Sequence, residues 1–207
     1  MLDEVDLAGR VVTADALHCQ RAHARYLVAE RHADYLFVAK ENQPGPVAAI
    51  SQLPEQAFSP PCVTVERGHG RVERRTVRVA PVPERVGFPH AEQVLVADRQ
   101  VSDLAGGSGS TEVAYGVTSL SCKRADAARL GGLLRGQWSI ENRLHWVRDV
   151  VFAEDHSRVR TASGPQVMAS LRNLVIGLLR LAGHARIARA LRWIARNPTR
   201  ALALLGV

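Results

Sequence analysis

Two apolar segments separated by a helix-length stretch constrain this chain most: "RVVTAD" at 10–15 and "DYLFVAK" at 34–40. Each is a run rich in β-branched or aromatic residues without polar alternation, the pattern of a strand buried on both faces. Between them, Leu17, Tyr26, Leu27 and Ala33 fall at spacings that suit an amphipathic helix over about 16–32. Strand, helix and strand, with both strands apolar, is the βαβ unit of a parallel sheet covered by helices. Upstream, residues 3–8 read as the end of a helix closed by Gly9, and "ENQPGP" after the second strand is turn chemistry.

The pattern changes after Pro46. A short helix fits 47–58, and "FSPPC" breaks it. Three segments follow with partial period-2 alternation: "TVERGHGRVERRTVRVA", "EQVLVADRQVS" and "TEVAYGVTSL". In "RVERRTVRV", Val72, Val77 and Val79 are interleaved with Arg and Glu, as in an antiparallel strand with one wet face. "SDLAGGSGST" is a hairpin-type loop. From Arg124 the chain reads as helical, with a first helix over about 125–152 that Gly131, Gly132 and Gly136 weaken. A second helix begins near Pro165 and ends at Gly183, and a third, "ARIARALRWIARN", stops before Pro198. The expected organisation is an α/β core segment over 1–46, a β-rich insertion over 47–120 and a helical region over 121–207.

Composition narrows the function classes. At 207 residues and 46% apolar content the chain can fill one domain core. No apolar run spans a bilayer, and the acidic start "MLDEVDLAGR" lacks the pattern of a signal peptide, so a cytoplasmic protein is expected. Cys19, Cys62 and Cys122 are too few and too scattered for a disulfide framework or a structural zinc site, and ordinary buried or semi-buried thiols are expected. His18, Cys19 and His23 invite a metal reading, but no carboxylate completes the set. The net charge is +7, and Lys40 and Lys123 are the only lysines. Arginine in excess suits phosphate recognition, because the guanidinium fork binds phosphate oxygens bidentately; genomic codon bias is the bland alternative.

Two carboxylates stand out. Asp15 lies at the C-terminal end of a buried strand, where open α/β sheets place functional groups; the alternative is that it caps the next helix. Glu141 sits in "WSIENRLHWVRDVVFAED". At about 100° per residue, Trp138, Glu141, His145 and Arg148 share an arc of roughly 80°, bordering the stripe of Ile140, Leu144, Val147 and Val151. A carboxylate there can look into a cleft, or it can simply pair with His145 on the surface. One carboxylate on a strand and one on a distant helix suit a magnesium site, which prefers a few carboxylates plus water and substrate phosphates. Such sites usually need at least three acidic ligands.

The blocks "GRVVTADALHCQRAHARYLV", "YLFVAKENQP", "HGRVERRTVRV", "YGVTSL", "WSIENRLHWVRDVVFAEDHSRVRT" and "GPQVMASLRNLVIGLLRLAG" resemble, in order, those of the H-repeat-associated insertion-sequence transposases. These are bacterial DDE enzymes of the ISAs group, related to the IS-four type, and the likeness runs essentially from Met1 to Val207. The resemblance implies a ribonuclease-H-like fold with a β-rich insertion and a helical C-terminus. It also implies a metal triad of Asp, Asp and Glu that holds Mg²⁺ or Mn²⁺ and cuts and rejoins DNA at terminal inverted repeats. Asp15 matches the second Asp and Glu141 the Glu, as catalytic and metal-binding residues. Arg148 matches the basic end of a Tyr–Arg–Glu–Lys signature, whose Tyr and Arg positions are Leu134 and Gln137 here. Arg148, His145, Asn142 and Lys40 are the candidate DNA contacts. The implied setting is bacterial cytoplasm at the nucleoid, without a membrane.

The first Asp of the triad has no counterpart, since Asp3 and Asp6 are poor stand-ins. The chain therefore reads as an N-terminally truncated transposase core. The alternative is a non-catalytic DNA-binding or regulatory remnant that acts as a homo-oligomer or pairs with an intact transposase. On either reading, the isolated chain is predicted not to cut or join insertion-sequence ends with magnesium present. Strand transfer that Asp15→Ala abolishes would overturn this expectation.

Overall fold

The computed structural model describes residues 4–68, 70–104, 107, 109–140 (without the Ser139 side chain) and 144–206. The chain divides into two compact units, Met1–Gln137 and Trp138–Val207.

The first unit is built on a six-stranded mixed sheet whose strands lie in the spatial order β1 (Val11–Ala14), β2 (Asp34–Ala39), β6 (Gly109–Thr118), β5 (Gln93–Asp103), β4 (Arg71–Pro81) and β3 (Cys62–Gly68). β1 (Val11–Ala14) and β2 (Asp34–Ala39) pair in parallel, with Val11 opposite Asp34 and Ala14 opposite Phe37. The crossover between them is a 3₁₀ turn at Ala16–His18, then α1 (Arg21–Arg25), which passes into a π-helical turn at Tyr26–Glu30. This is the expected βαβ unit. The expected helix end at 3–8 is absent from residues 4–8, which form turns: Leu7 is buried, and Gly9, at φ 67°, donates its N–H to His32 O.

β2 is buried at all six positions, and its residues divide by parity. Tyr35, Phe37 and Ala39 point into a core shared with Ala24, Leu27, Ala49 and Ile50. Leu36 and Val38 point into a second core with Ala127, Leu130 and Leu134. The period of two thus places α1, its π turn and α2 (Pro44–Ser51) on one face, and α3 (Ala127–Ile140) on the other. Burying each large side chain in these layers contributes on the order of 1.5–3 kcal/mol.

The antiparallel strands continue the same sheet. β3 (Cys62–Gly68), β4 (Arg71–Pro81), β5 (Gln93–Asp103) and β6 (Gly109–Thr118) form a meander whose last strand pairs with β2, Leu36 opposite Thr118. Where α3 covers β4, Val77 and Val79 are buried. Farther out on the same strand, Glu73 is buried against arginines: Arg75 Nη2 at 2.7 Å and a short contact from Arg99 Nε. Arg135 of α3 reaches Glu66 of β3 at 2.5 Å. Glu73 and Arg75 share the parity of Val77 and Val79, so this ion-pair network continues the helix-covered face, while Arg74 on the opposite face is exposed.

A polar lock closes the sheet where β2 begins. Ser119 Oγ donates to Asp34 Oδ1 at 2.9 Å and accepts from the Tyr35 N–H at 3.0 Å, while Arg124 Nη2 donates to Asp34 Oδ2 at 2.5 Å. Gln93 Nε2 donates to the carbonyls of Leu120 and Ala125 at 2.8 and 3.0 Å, fixing the chain as it turns into α3. The buried side chains of Asp34, Ser119 and Gln93 thereby acquire partners, which offsets the desolvation cost of burying them.

Of the helix expected over 125–152, α3 covers Ala127–Ile140 and residues 144–151 are also helical, with a π-helical turn at Val147–Val151; residues 141–143 lie outside the described residues. The second unit then holds α4 (Gly164–Leu181), with Pro165 in its first turn, α5 (Ile187–Ala195) and α6 (Thr199–Leu205). Val147, Ile176, Leu179, Ile187 and Ala190 form its core. Glu154 ties the π turn to α4: Arg148 donates to it from Nη2 at 2.7 Å and, in a shorter contact, from Nε, and Arg172 Nη1 donates at 3.3 Å. The Arg148 hydrogen bond holds the Glu154 carboxyl below its ordinary value against the opposing effect of burial, and the charges of Arg148 and Arg172 assist.

Two predictions follow from these contacts. Gly116 lies within the sheet, where an added Cβ would meet Leu95 Cγ and Phe37 O, each at 3.0 Å, whereas one on Gly132 in α3 meets nothing within 4 Å. Gly116→Ala should destabilise the fold by about 1–3 kcal/mol, and Gly132→Ala should stabilise it by about 0.5–1 kcal/mol, read by denaturant unfolding. For Glu154, a folded pKa below the unfolded one stabilises at neutral pH, and the contribution is lost as pH falls through about 4.3 and below. Glu154→Gln should therefore lower Tm at pH 7, and the gap from the parent chain should close on acidification.

Candidate active site

The parallel pairing brings the C-terminal ends of β1 and β2 to one edge of the sheet, so Asp15 and Lys40, each just past its strand, emerge together there. Both residues are exposed. Asp15 is extended (φ −73°, ψ −178°) and precedes the 3₁₀ turn at Ala16–His18, yet its carboxylate makes no capping hydrogen bond to that turn. The capping alternative is not realised. A rigid strand holds the residue, and its oxygens remain open to solvent.

The turn after β2 fixes this edge. Asn42 Nδ2 donates to Ala16 O at 2.5 Å, and Gln43 Nε2 donates to Cys19 O at 2.9 Å. Asn42 Oδ1 lies 3.4 Å from the Lys40 N–H, a longer contact within the turn. The two amides of "ENQP" thus clamp the segment that follows Asp15 onto the end of β2. Sequence reasoning treated this motif as turn chemistry alone. The available signal was two adjacent amides directly after a buried parallel strand, next to the loop of its neighbour.

The histidine–cysteine reading does not match the geometry. Cys19 is fully buried, and burial pushes its thiol up to about 12, so it is held as a neutral thiol. His23 Nδ1 lies 3.0 Å from His18 O, within hydrogen-bonding distance of the backbone. Of the other thiols, Cys62 is half-buried and Cys122 is exposed, unlike the buried or semi-buried environment expected for all three.

In the second unit, His145 is exposed and Arg148 is half-buried. They line an open cavity of about 450 Å³ with Asp149, Glu154 and Asp155. Glu154 takes two nitrogens of the Arg148 fork, Nε and Nη2, leaving Nη1 as the nitrogen available for another partner. The bonds to Arg148 and Arg172 account for part of the "FAED" end of the motif, which sequence reasoning left without a role. Glu141 and Asn142 lie outside the described residues.

Divalent-metal chemistry needs several hard oxygen donors converging on one point. Asp15 supplies one free carboxylate of that kind. Among the described residues, no three His, Cys, Asp or Glu side chains are grouped so as to hold a metal ion. The fit is thus partial: a suitable donor on a rigid strand, without its companions in view.

Among the described residues, no helix is long and apolar enough to cross a membrane. Residues 1–178 match the family model described as "Transposase DDE domain". The chain is 31% identical over 196 residues to "Putative transposase YncI" of Escherichia coli O157:H7, covering 87% of this chain and 48% of that protein. It is 27% identical over 191 residues to "H repeat-associated putative transposase YhhI" of E. coli strain K12, covering 86% of this chain and 50% of that protein. The chain spans about half the length of the curated relatives it matches. With its mixed α/β sheet and a family match over most of its length, this chain belongs to the DDE transposase family.

Proposed function

We propose that this chain supplies Asp15 and Glu141 to the divalent-metal centre of a ribonuclease-H-like DNA transposase, acting at insertion-sequence ends. The observation that carries this reading is Asp15: an exposed carboxylate at the end of a parallel strand, not used as a helix cap. Bound there, Mg²⁺ or Mn²⁺ would lower the barrier to attack on a phosphodiester by activating the nucleophile and stabilising the leaving oxygen. The chain's own residues do the positioning. β1 and the Asn42 and Gln43 amides hold Asp15 in place, and Lys40 sets a positive charge at the same edge for a DNA phosphate. In the second unit, Arg148 Nη1, His145 and Asn142 are the proposed phosphate contacts, with Glu154 fixing the Arg148 plane. Asp15 and Glu141 are two of the three carboxylates such a centre needs, so we propose that the chain does not complete strand transfer by itself.

Calorimetric titration with Mn²⁺ tests this reading. Weak binding is expected for the parent chain, and a further loss is expected in both Asp15→Asn and Glu141→Gln. Binding that Asp15→Asn leaves unchanged would overturn the assignment. Tight binding lost on Asp15→Asn would retain Asp15 but overturn the incomplete-site proposal.

A further inference from the structure

The positive charge of this chain is concentrated at one end. Residues 156–207 contain nine arginines and no Asp or Glu, whereas the 155 residues before them hold 18 Lys and Arg against 20 Asp and Glu. The net charge of +7 therefore arises entirely from the last quarter of the sequence. Uniform codon bias would not produce that asymmetry. Much of this segment is α5 and its flanks, which lie beyond residue 178, where the family match ends.

α5 presents two opposed faces. At about 100° per residue, Ile187, Ala190, Leu191 and Ile194 fall within roughly 100° of arc, and Arg186, Trp193, Arg189, Arg196 and Arg192 fall within a separate arc of roughly 120°. Ile187 and Ala190 are buried with Ile176 and Leu179, so the arginine face is turned to solvent. Arg186, Arg189, Arg192 and Arg196 are all exposed, and among the described residues none is ion-paired with a carboxylate. Four unneutralised guanidinium groups within about 15 Å of helix axis repel one another unless an external anion lies across them.

The N-terminal half of this face contains an open groove of about 430 Å³, lined by His184, Arg186, Arg189 and Trp193 among others. The Trp193 side is preorganised. The Arg200 guanidinium lies over the indole at 4.2 Å from its centroid, and its Nη1 donates to Trp193 O at 2.6 Å. The His184 ring lies 5.5 Å from the indole. Trp193 remains 42% exposed, a large apolar surface in water between cations. Interleaved arginine and aromatic surface of this kind suits the phosphates and sugars of a nucleic-acid strand. An anionic membrane is a poorer match, because helices that lie in a membrane insert their apolar face, and here that face is already in the protein core.

We propose that the outer face of α5, from the His184–Trp193 groove to Arg196, is a second DNA-binding surface that grips the phosphodiester backbone without reading sequence. The proposal rests on the DNA-processing reading above but assigns its own site, separate in sequence from Asp15 and Glu141. Four arginines along about 15 Å match about four phosphates of one strand, spaced about 3.4 Å apart along a duplex axis.

Fluorescence anisotropy of the full 207-residue chain with a labelled duplex of arbitrary sequence, across a salt series, tests it. Each neutralised phosphate contributes about −0.9 to the slope of log K against log salt. Arg189→Gln/Arg192→Gln should make the slope shallower by about two units and weaken binding more than about tenfold near 0.1 M salt. Arg189→Lys/Arg192→Lys should restore most of the slope, which a purely structural role would not do. A parent-like slope in the Gln variant, with circular dichroism showing it folded, overturns the proposal. So does arginine-dependent binding to phosphatidylserine vesicles without binding to DNA. A failed Mn²⁺ response at Asp15 alongside arginine-dependent DNA binding would overturn the metal reading and leave this one standing.

Discussion

Complete burial of β2 is the constraint on which the first unit depends. From Tyr35 to Ala39 its residues alternate between two cores, so the strand must be covered by helices on both faces and paired along both edges. A parallel partner on one side and an antiparallel partner on the other meet that demand. Asp34, Ser119 and Arg124 then secure the beginning of the strand, where a slip of one residue would exchange its two faces. The register set there carries through to the opposite end and delivers Asp15 and Lys40 to one edge. The position of the candidate site is thus a consequence of packing at the opposite end of the strand.

Much of this was legible from local pattern. The apolar runs 10–15 and 34–40, Pro165 at the start of α4 and the stop before Pro198 each encode their element through side-chain period or backbone chemistry. Less legible was anything that depends on a distant partner. Residues 47–120 read as a β-rich insertion, but no local pattern shows that its β6 pairs with β2 and continues the same sheet. Glu73 reads as a wet-face residue, but it is buried because Arg75 and Arg99 come to it from two strands. Gly131, read as a weak point in a helix, sits where an added Cβ would lie 3.2 Å from Val77, so its missing side chain permits close packing of α3.

The same distinction runs through the site. Asp15 was identifiable from its place at a strand end, but whether it capped the next helix required the turn geometry. Arg148 was identifiable as a basic residue on a helix border, but the Glu154 clamp joins residues six apart across a π turn, a spacing that straight α-helical periodicity does not pair. The Asn42 and Gln43 amides are anchored to backbone carbonyls, which carry no signal in side-chain sequence. Charge segregation, by contrast, was fully present in the sequence. It gains meaning only when α5 is seen to bury one face and leave its arginines without carboxylate partners among the described residues.

We propose a metal-binding carboxylate at the β1/β2 edge and a phosphate-binding face in the C-terminal unit, each with apolar packing behind it. The proposal that a divalent cation is held at the end of β1 is tested most directly by paramagnetic relaxation. In ¹⁵N–¹H spectra, substoichiometric Mn²⁺ should selectively broaden the amides of residues 14–18 and 40–43, and Asp15→Asn should abolish that broadening. Broadening centred elsewhere, or the same pattern in the Asn variant, would contradict it.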